Sequence, residues 1–140
     1  VASRLVIVGC GKDKLDTPAR AAVLYTGPYF YACKRAALTL AWGDPDAELR
    51  VLSALHGLLR YDQVVDPYDK RLGQPGSVTA AKLRAQARRQ RLLGAPVTVL
   101  ANKGYTALVR QVWPDAAAPL EGAGPIGKQL HVLKTIYEAR

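Results

Sequence analysis

Four polar, glycine-rich segments hold most of the reactive side chains of this 140-residue chain. The first is Gly9-Cys10-Gly11-Lys12-Asp13-Lys14. Its two glycines let backbone amides approach a ligand closely, and its two lysines add positive charge beside them. A phosphate or carboxylate suits that combination, with Gly9, Cys10, Gly11, Lys12 and Lys14 as contacts. The spacing is neither that of a P-loop nor GxGxxG, because position 14 is Lys. A tight turn with solvated lysines is the alternative.

The second segment, Ser53-Ala54-Leu55-His56-Gly57-Leu58-Leu59, offers a hydroxyl and an imidazole that works as acid, base or hydrogen-bond donor near neutral pH. A histidine beside leucines is equally at home in a structural role. Asp62-Gln63-Val64-Val65-Asp66-Pro67-Tyr68-Asp69 follows it. Asp62 and Asp69 are the carboxylates suited to a ribose hydroxyl, a water or an oxocarbenium-like centre. Asp66 and Asp69 suit turn capping around Pro67 just as well. Ser53, His56, Asp62 and Asp69 are thus the catalytic candidates. Ser53, His56 and Asp62 have the residue types of a triad, but no nucleophile elbow accompanies them.

The third segment is Asn102-Lys103-Gly104-Tyr105. The fourth, Glu121-Gly122-Ala123-Gly124-Pro125-Ile126-Gly127-Lys128-Gln129, is a glycine-rich helix entry of the kind that binds anions. Asn102, Gly124 and Gly127 therefore join the ligand-binding set, although Gly127 also suits close helix packing. Tyr25 and Tyr68 are the rings available to stack on or hydrogen-bond a base. Lys82, Arg84, Arg88, Arg89 and Arg91 form a basic helix that either follows a nucleic-acid backbone or is a solvated face. Cys10, Cys33, His56 and His131 lack metal-ligand spacing, so neither a metal nor a cofactor is expected.

The net charge of +9 favours DNA, RNA or a phosphorylated small molecule as partner. A hydrophobic content of 49% argues against disorder and for one domain over residues 1–140. No apolar run reaches the roughly 18–20 residues of a membrane span, so no membrane partner is expected. Val1 to Cys10 reads as a strand rather than a signal peptide. Two cysteines supply no framework of bridges, which points to a reduced, cytoplasmic setting.

The elements that must position these groups alternate. Strand-like runs cover Leu5–Gly9, Arg50–Ala54, Val97–Ala101 and, more weakly, Ala118–Leu120. Helical spacing covers Ala19–Trp42, where Gly27 and Pro28 place the start of the regular helix, then Ser77 or Thr79 to Leu93, Gly104–Val112 and Ile126–Ala139. Asp62–Val78 reads as a long irregular loop. This order predicts an α/β three-layer sandwich with a mostly parallel four-stranded sheet, Rossmann-like, and helices on both faces. Ligands of such sheets bind beyond the carboxyl ends of the strands. Lys12, Ser53, His56, Tyr68 and Gly124 are accordingly expected around one cavity.

Taken together, Gly9–Lys14, Leu24-Tyr25-Thr26-Gly27 with Phe30, Leu52–Leu59 with Asp62 and Pro67-Tyr68-Asp69, and Gly124–Leu130 resemble the YaaA-like proteins, a group named after a peroxide stress protein, and most of all its short bacterial and phage relatives. The resemblance implies an α/β core and a link to DNA or nucleobase chemistry, including protection from oxidative damage. The expected function is an enzyme acting on a nucleobase, nucleoside or nucleotide, free or within nucleic acid, by cleavage or exchange at an N-glycosidic bond. A non-catalytic DNA-binding stress-response protein and a small-ligand sensor are the alternatives.

Overall fold

Alternate residues of β1 (Arg4–Gly9) enter two different cores, and that alternation builds the layers. In the computed structural model, which describes residues 2–139, Leu5 and Ile7 pack with Leu83 and Ala87 of α3 (Ala80–Arg89) and with Leu108 and Val109 of α4 (Lys103–Val112). Val6 and Val8 face Phe30, Cys33 and Ala37 of α2 (Pro28–Leu40) and Leu133 of α5 (Ile126–Tyr137). Helices thus cover both faces of the sheet, as the alternating pattern predicts. Val1 and Arg140 lie outside the described residues.

The sheet has the order β4 (Gly57–Arg60), β3 (Ala47–Ser53), β1, β6 (Val97–Leu100). Strands β3, β1 and β6 run parallel, with Val8 opposite Val51 and Ile7 opposite Val99. The fourth strand differs from the one expected. It is β4, antiparallel to β3, with Leu52 opposite Leu58 and Ser53 opposite Gly57. The sheet is therefore mixed. Gly57 has φ +75°, a left-handed conformation that lets the chain reverse within a few residues of Ser53. Ala118–Leu120 forms no strand. Its neighbour Ala117 makes an isolated parallel bridge to Thr98.

Within Ala19–Trp42 the regular helix starts at Pro28, where Gly27 and Pro28 signal it. Ala19–Arg20 is a short strand (β2), Ala21–Leu24 a single turn (α1), and α2 begins at Pro28, whose fixed φ and absent N–H suit a first helical position. The long loop contains β5 (Val64–Val65), paired antiparallel with β2. Thr79 caps α3 by accepting a hydrogen bond from the Lys82 amide at 3.2 Å. Asn102 caps α4 in the same way through the Tyr105 amide, at 3.2 Å. Among the described residues no helix is long and apolar enough to cross a membrane.

Candidate functional site

Beyond the carboxyl ends of β1 and β6 lies a cleft with two lobes. Hollows of about 680 and 500 Å³ share Cys10, Gly11, Lys12, Asn102, Tyr105 and Gln129 along their common wall. The first lobe is cationic: Lys12, Lys70, Arg71 and Lys103 line it beside Gly104 and Gly124, and no described carboxylate does. The second is largely apolar, formed by Pro28, Phe30, Ile126 and Leu130 over Gly9 and Ala101, with Asp13 as its one acidic lining residue. The amino-terminal turns of α2, α4 and α5 all contribute to these walls, so the partial positive charges of these helix ends add to the lysines. Gln129 braces the lobes by accepting from the Tyr29 hydroxyl at 2.7 Å and donating to the Gly124 carbonyl at 2.9 Å.

Against this cleft sits a nest of hydroxyls and one thiol. Cys10 Sγ is 3.0 Å from the Tyr105 hydroxyl. The Tyr68 hydroxyl is 2.6 Å from both Tyr25 and Ser53. Ser53 Oγ accepts the amides of Leu55 and His56 at 3.1 and 3.0 Å. The Lys14 ammonium lies 4.5 Å from the centre of the Tyr68 ring, and the His56 imidazole meets that ring edge-on at 5.3 Å. An antiparallel bridge between Lys14 and Tyr25, with the Thr26 amide bonded to the Asp13 carbonyl at 2.9 Å, folds the loop after β1 over the nest.

Burial, with Cys10 adding to it, pushes the Tyr25 phenol up to about 12 and raises Tyr68 and Tyr105 as well. At neutral pH these phenols are therefore protonated donors rather than bases. His56 is lowered, first by desolvation and then by the Lys82 charge, against the opposing pull of Asp66. Its resting state at pH 7 is the neutral imidazole.

The expected single cavity is divided. Cys10, Gly11, Lys12, Asn102 and Gly124 line the cationic lobe. Ser53, His56, Tyr25, Tyr68 and Lys14 form the connected group beside it and do not line it. Gly9 is buried, and a Cβ there would stand 2.9 Å from the Ala101 Cβ, so its missing side chain serves the packing of β1 against β6. Gly127 lies in a different groove, between α2 and α5.

The triad of Ser53, His56 and Asp62 is not assembled. Asp62 follows β4, which runs away from the carboxyl ends, and it pairs with Arg60 at 3.4 Å. Asp69 is exposed and does not line the cleft, and the carboxylate whose charge reaches His56 is Asp66. The basic helix is not one free row either. Lys82 donates to the Leu55 carbonyl at 3.3 Å and Arg84 to the Gln111 carbonyl at 2.7 Å, while Arg88, Arg89 and Arg91 are exposed. Among the described residues no three His, Cys, Asp or Glu gather in a metal-binding group.

Lys70, Arg71, Lys103, Tyr105 and Gln129 are site residues that the sequence reading leaves out. Lys103 and Tyr105 stand within a segment already singled out by its place after a strand. Lys70 and Arg71 carry no local signal.

Comparison with known proteins gives a family without a function. The model of the family of unknown function DUF6884 matches residues 5–135. No curated protein and no solved structure matches the chain.

Proposed function

The chain belongs to the DUF6884 family, and we propose that it is an enzyme acting on a nucleotide or a related nucleobase-bearing phosphate, free or within nucleic acid. The observation that carries this reading is the pairing of lobes. A cationic hollow with no described carboxylate suits phosphate, and an adjoining apolar slot against Phe30, Ile126 and Leu130 suits a flat base. A sugar would then rest at the shared wall, near Lys12, Asn102 and Tyr105. For cleavage or exchange at the N-glycosidic bond, Asp13 takes the place first given to Asp62 and Asp69.

A Rossmann-like reading of the sheet belongs with this proposal. From β1 the chain passes through α2 to β3 on one side, and it reaches β6 on the other side through α3. The cleft therefore opens where the order of strands reverses, the usual ligand position in such sheets. The resemblance to YaaA-like proteins supports a place in DNA modification or damage response, and the free thiols Cys10 and Cys33 fit a reduced cytoplasmic setting.

Calorimetric titration with 5′-mononucleotides, nucleosides and inorganic phosphate tests the proposal, with chromatography of the mixtures for released base. Nucleotides should bind tighter than nucleosides, and Lys12→Gln with Lys103→Gln should remove that advantage. Failure of every one of these compounds to bind the folded protein would overturn it.

A further inference from the structure

We propose that the groove between α2 and α5 is a docking surface for single-stranded nucleic acid. The groove holds about 740 Å³ and is separate from the basic helix α3. Tyr31, Lys34 and Arg35 line it from α2, and His131, Lys134 and Tyr137 line it from α5. No described Asp or Glu lines it. The three α2 residues follow i, i+3, i+4 spacing, and Leu130, Lys134 and Tyr137 follow i, i+4, i+7, so each helix presents one mixed basic and aromatic stripe to the same trough.

Two physical features select the occupant. The cations are already held against rings: the Arg35 guanidinium lies 4.0 Å from the centre of the Tyr137 ring, and the Lys34 ammonium 5.2 Å from that of Tyr31. Lys34 also donates to the Ala22 carbonyl at 2.9 Å. Held in this way, these side chains lose less freedom when a phosphate arrives. Tyr31 is 56% exposed and Val23 beside it 44%, a large apolar exposure within a positively charged trough. Base faces stacking on rings while the backbone tracks positive charge is the binding mode of single strands. A duplex hides its base faces and offers nothing to Tyr31.

The groove also meets the cleft, because Pro28 and Leu130 line both. A strand lying along α2 and α5 would bring a terminal or unstacked nucleotide to the apolar lobe. That last step rests on the reading of the cleft given above, whereas the docking surface does not.

Fluorescence anisotropy of the full chain with fluorescein-labelled dT12, at several salt concentrations, tests the surface. Wild type should bind dT12 in a salt-dependent manner and prefer it to the dA12·dT12 duplex. Arg35→Glu with Lys134→Glu should weaken binding at least ten-fold and flatten the salt slope by about 1.4 for two lost phosphate contacts. Tyr31→Ala should weaken it about ten-fold with the slope unchanged. Should the double reversal fail to fold, Tyr31→Ala and photocrosslinking of bromodeoxyuridine-substituted dT12 to the groove tyrosines decide the matter. The proposal is overturned if dT12 does not bind, or if neither set of substitutions weakens it. It is also overturned if only reversal of Arg88 and Arg89 does so, or if a polyglutamate peptide binds as well as dT12 with Tyr31→Ala neutral to both. Mononucleotide titration of the cleft is scored separately, so failure of either reading leaves the other standing.

Discussion

The hydroxyls of Ser53 and Tyr68 are 2.6 Å apart, and the backbone fixes which of them donates. Ser53 Oγ already accepts the amides of Leu55 and His56, which fills its acceptor positions. Its proton must then go to Tyr68, and Tyr68 in turn donates to Tyr25, also at 2.6 Å. This directed chain joins the end of β3, the loop after β5 and the residue that follows α1. Those three segments hold His56 and Lys14 against one ring.

Ser53→Ala should therefore cost about 1–3 kcal/mol, since two amides and the Tyr68 oxygen lose a fully buried partner. Tyr68→Phe removes the acceptor of the Ser53 proton and the donor to Tyr25, leaves both Ser53 amide bonds in place, and should cost about 1–2 kcal/mol. Urea unfolding of both variants checks the order. A neutral Ser53→Ala would mean that the hydroxyl chain contributes nothing to the fold.

Gly57→Ala should be among the most damaging single-methyl changes in the chain. Position 57 has φ +75°, and a Cβ there would collide with the Gln86 side chain. That side chain is engaged twice, accepting from the Leu58 amide at 2.9 Å and donating to the His56 carbonyl at 2.8 Å. Strain at a left-handed position and overpacking together should cost about 3 kcal/mol. Equilibrium unfolding gives the value, and a loss below about 1 kcal/mol would show that Gln86 swings aside freely.

The same turn explains what the sequence conceals. β1 and β6 are legible as β-branched runs, and with them Gly9–Lys14 and Asn102–Tyr105, which flank the cleft. β4 is not. Leu58 and Leu59 enter the two opposite cores, so the strand shows no alternation, and its reversal is locked by Gln86 from α3. Once that hairpin is missed, Asp62 is assigned to the carboxyl ends, although the antiparallel strand carries it away. Lys70 and Arg71 reach the cleft because the loop folds on itself, with Lys70 donating to the Pro75 carbonyl at 2.7 Å and Gln74 accepting from the Arg71 amide at 2.9 Å. No periodicity announces such contacts.

Stability should fall as pH drops below about 6.5, in a step that belongs to His56. Its folded-state pKa is lowered by desolvation and by Lys82, so the unfolded chain binds more protons once pH is below the unfolded value. The neutral form is favoured in the fold, and its contribution is present above pH 6.5 and lost as pH falls through the folded value. The difference in unfolding free energy between wild type and His56→Gln, measured from pH 8 to pH 5, should shrink in that direction. Lys82→Gln should weaken the effect, and a pH-independent difference would count against it.

Alkaline conditions should unfold the protein through its phenols. Burial raises Tyr25 to about 12, and Tyr29, Tyr61, Tyr68 and Tyr105 are also pushed up, chiefly by desolvation. Each phenol is favoured in its neutral form in the fold, so its stabilising contribution is complete below pH 10, the unfolded value, and is lost as pH rises through the folded one. Between those limits the unfolded chain has released a proton that the folded chain retains. Every such tyrosine then steepens the fall of stability by about 1.4 kcal/mol per pH unit. Absorbance at 295 nm should show these five phenols ionising in one step that coincides with loss of far-ultraviolet circular dichroism. Tyr25→Phe should lower the slope of stability against pH above pH 10 by about that single increment, even though it weakens the fold at neutral pH. Ionisation of all seven tyrosines below pH 11 with the circular dichroism intact would show the nest open to solvent, and the donor role of Tyr68 would fall with it.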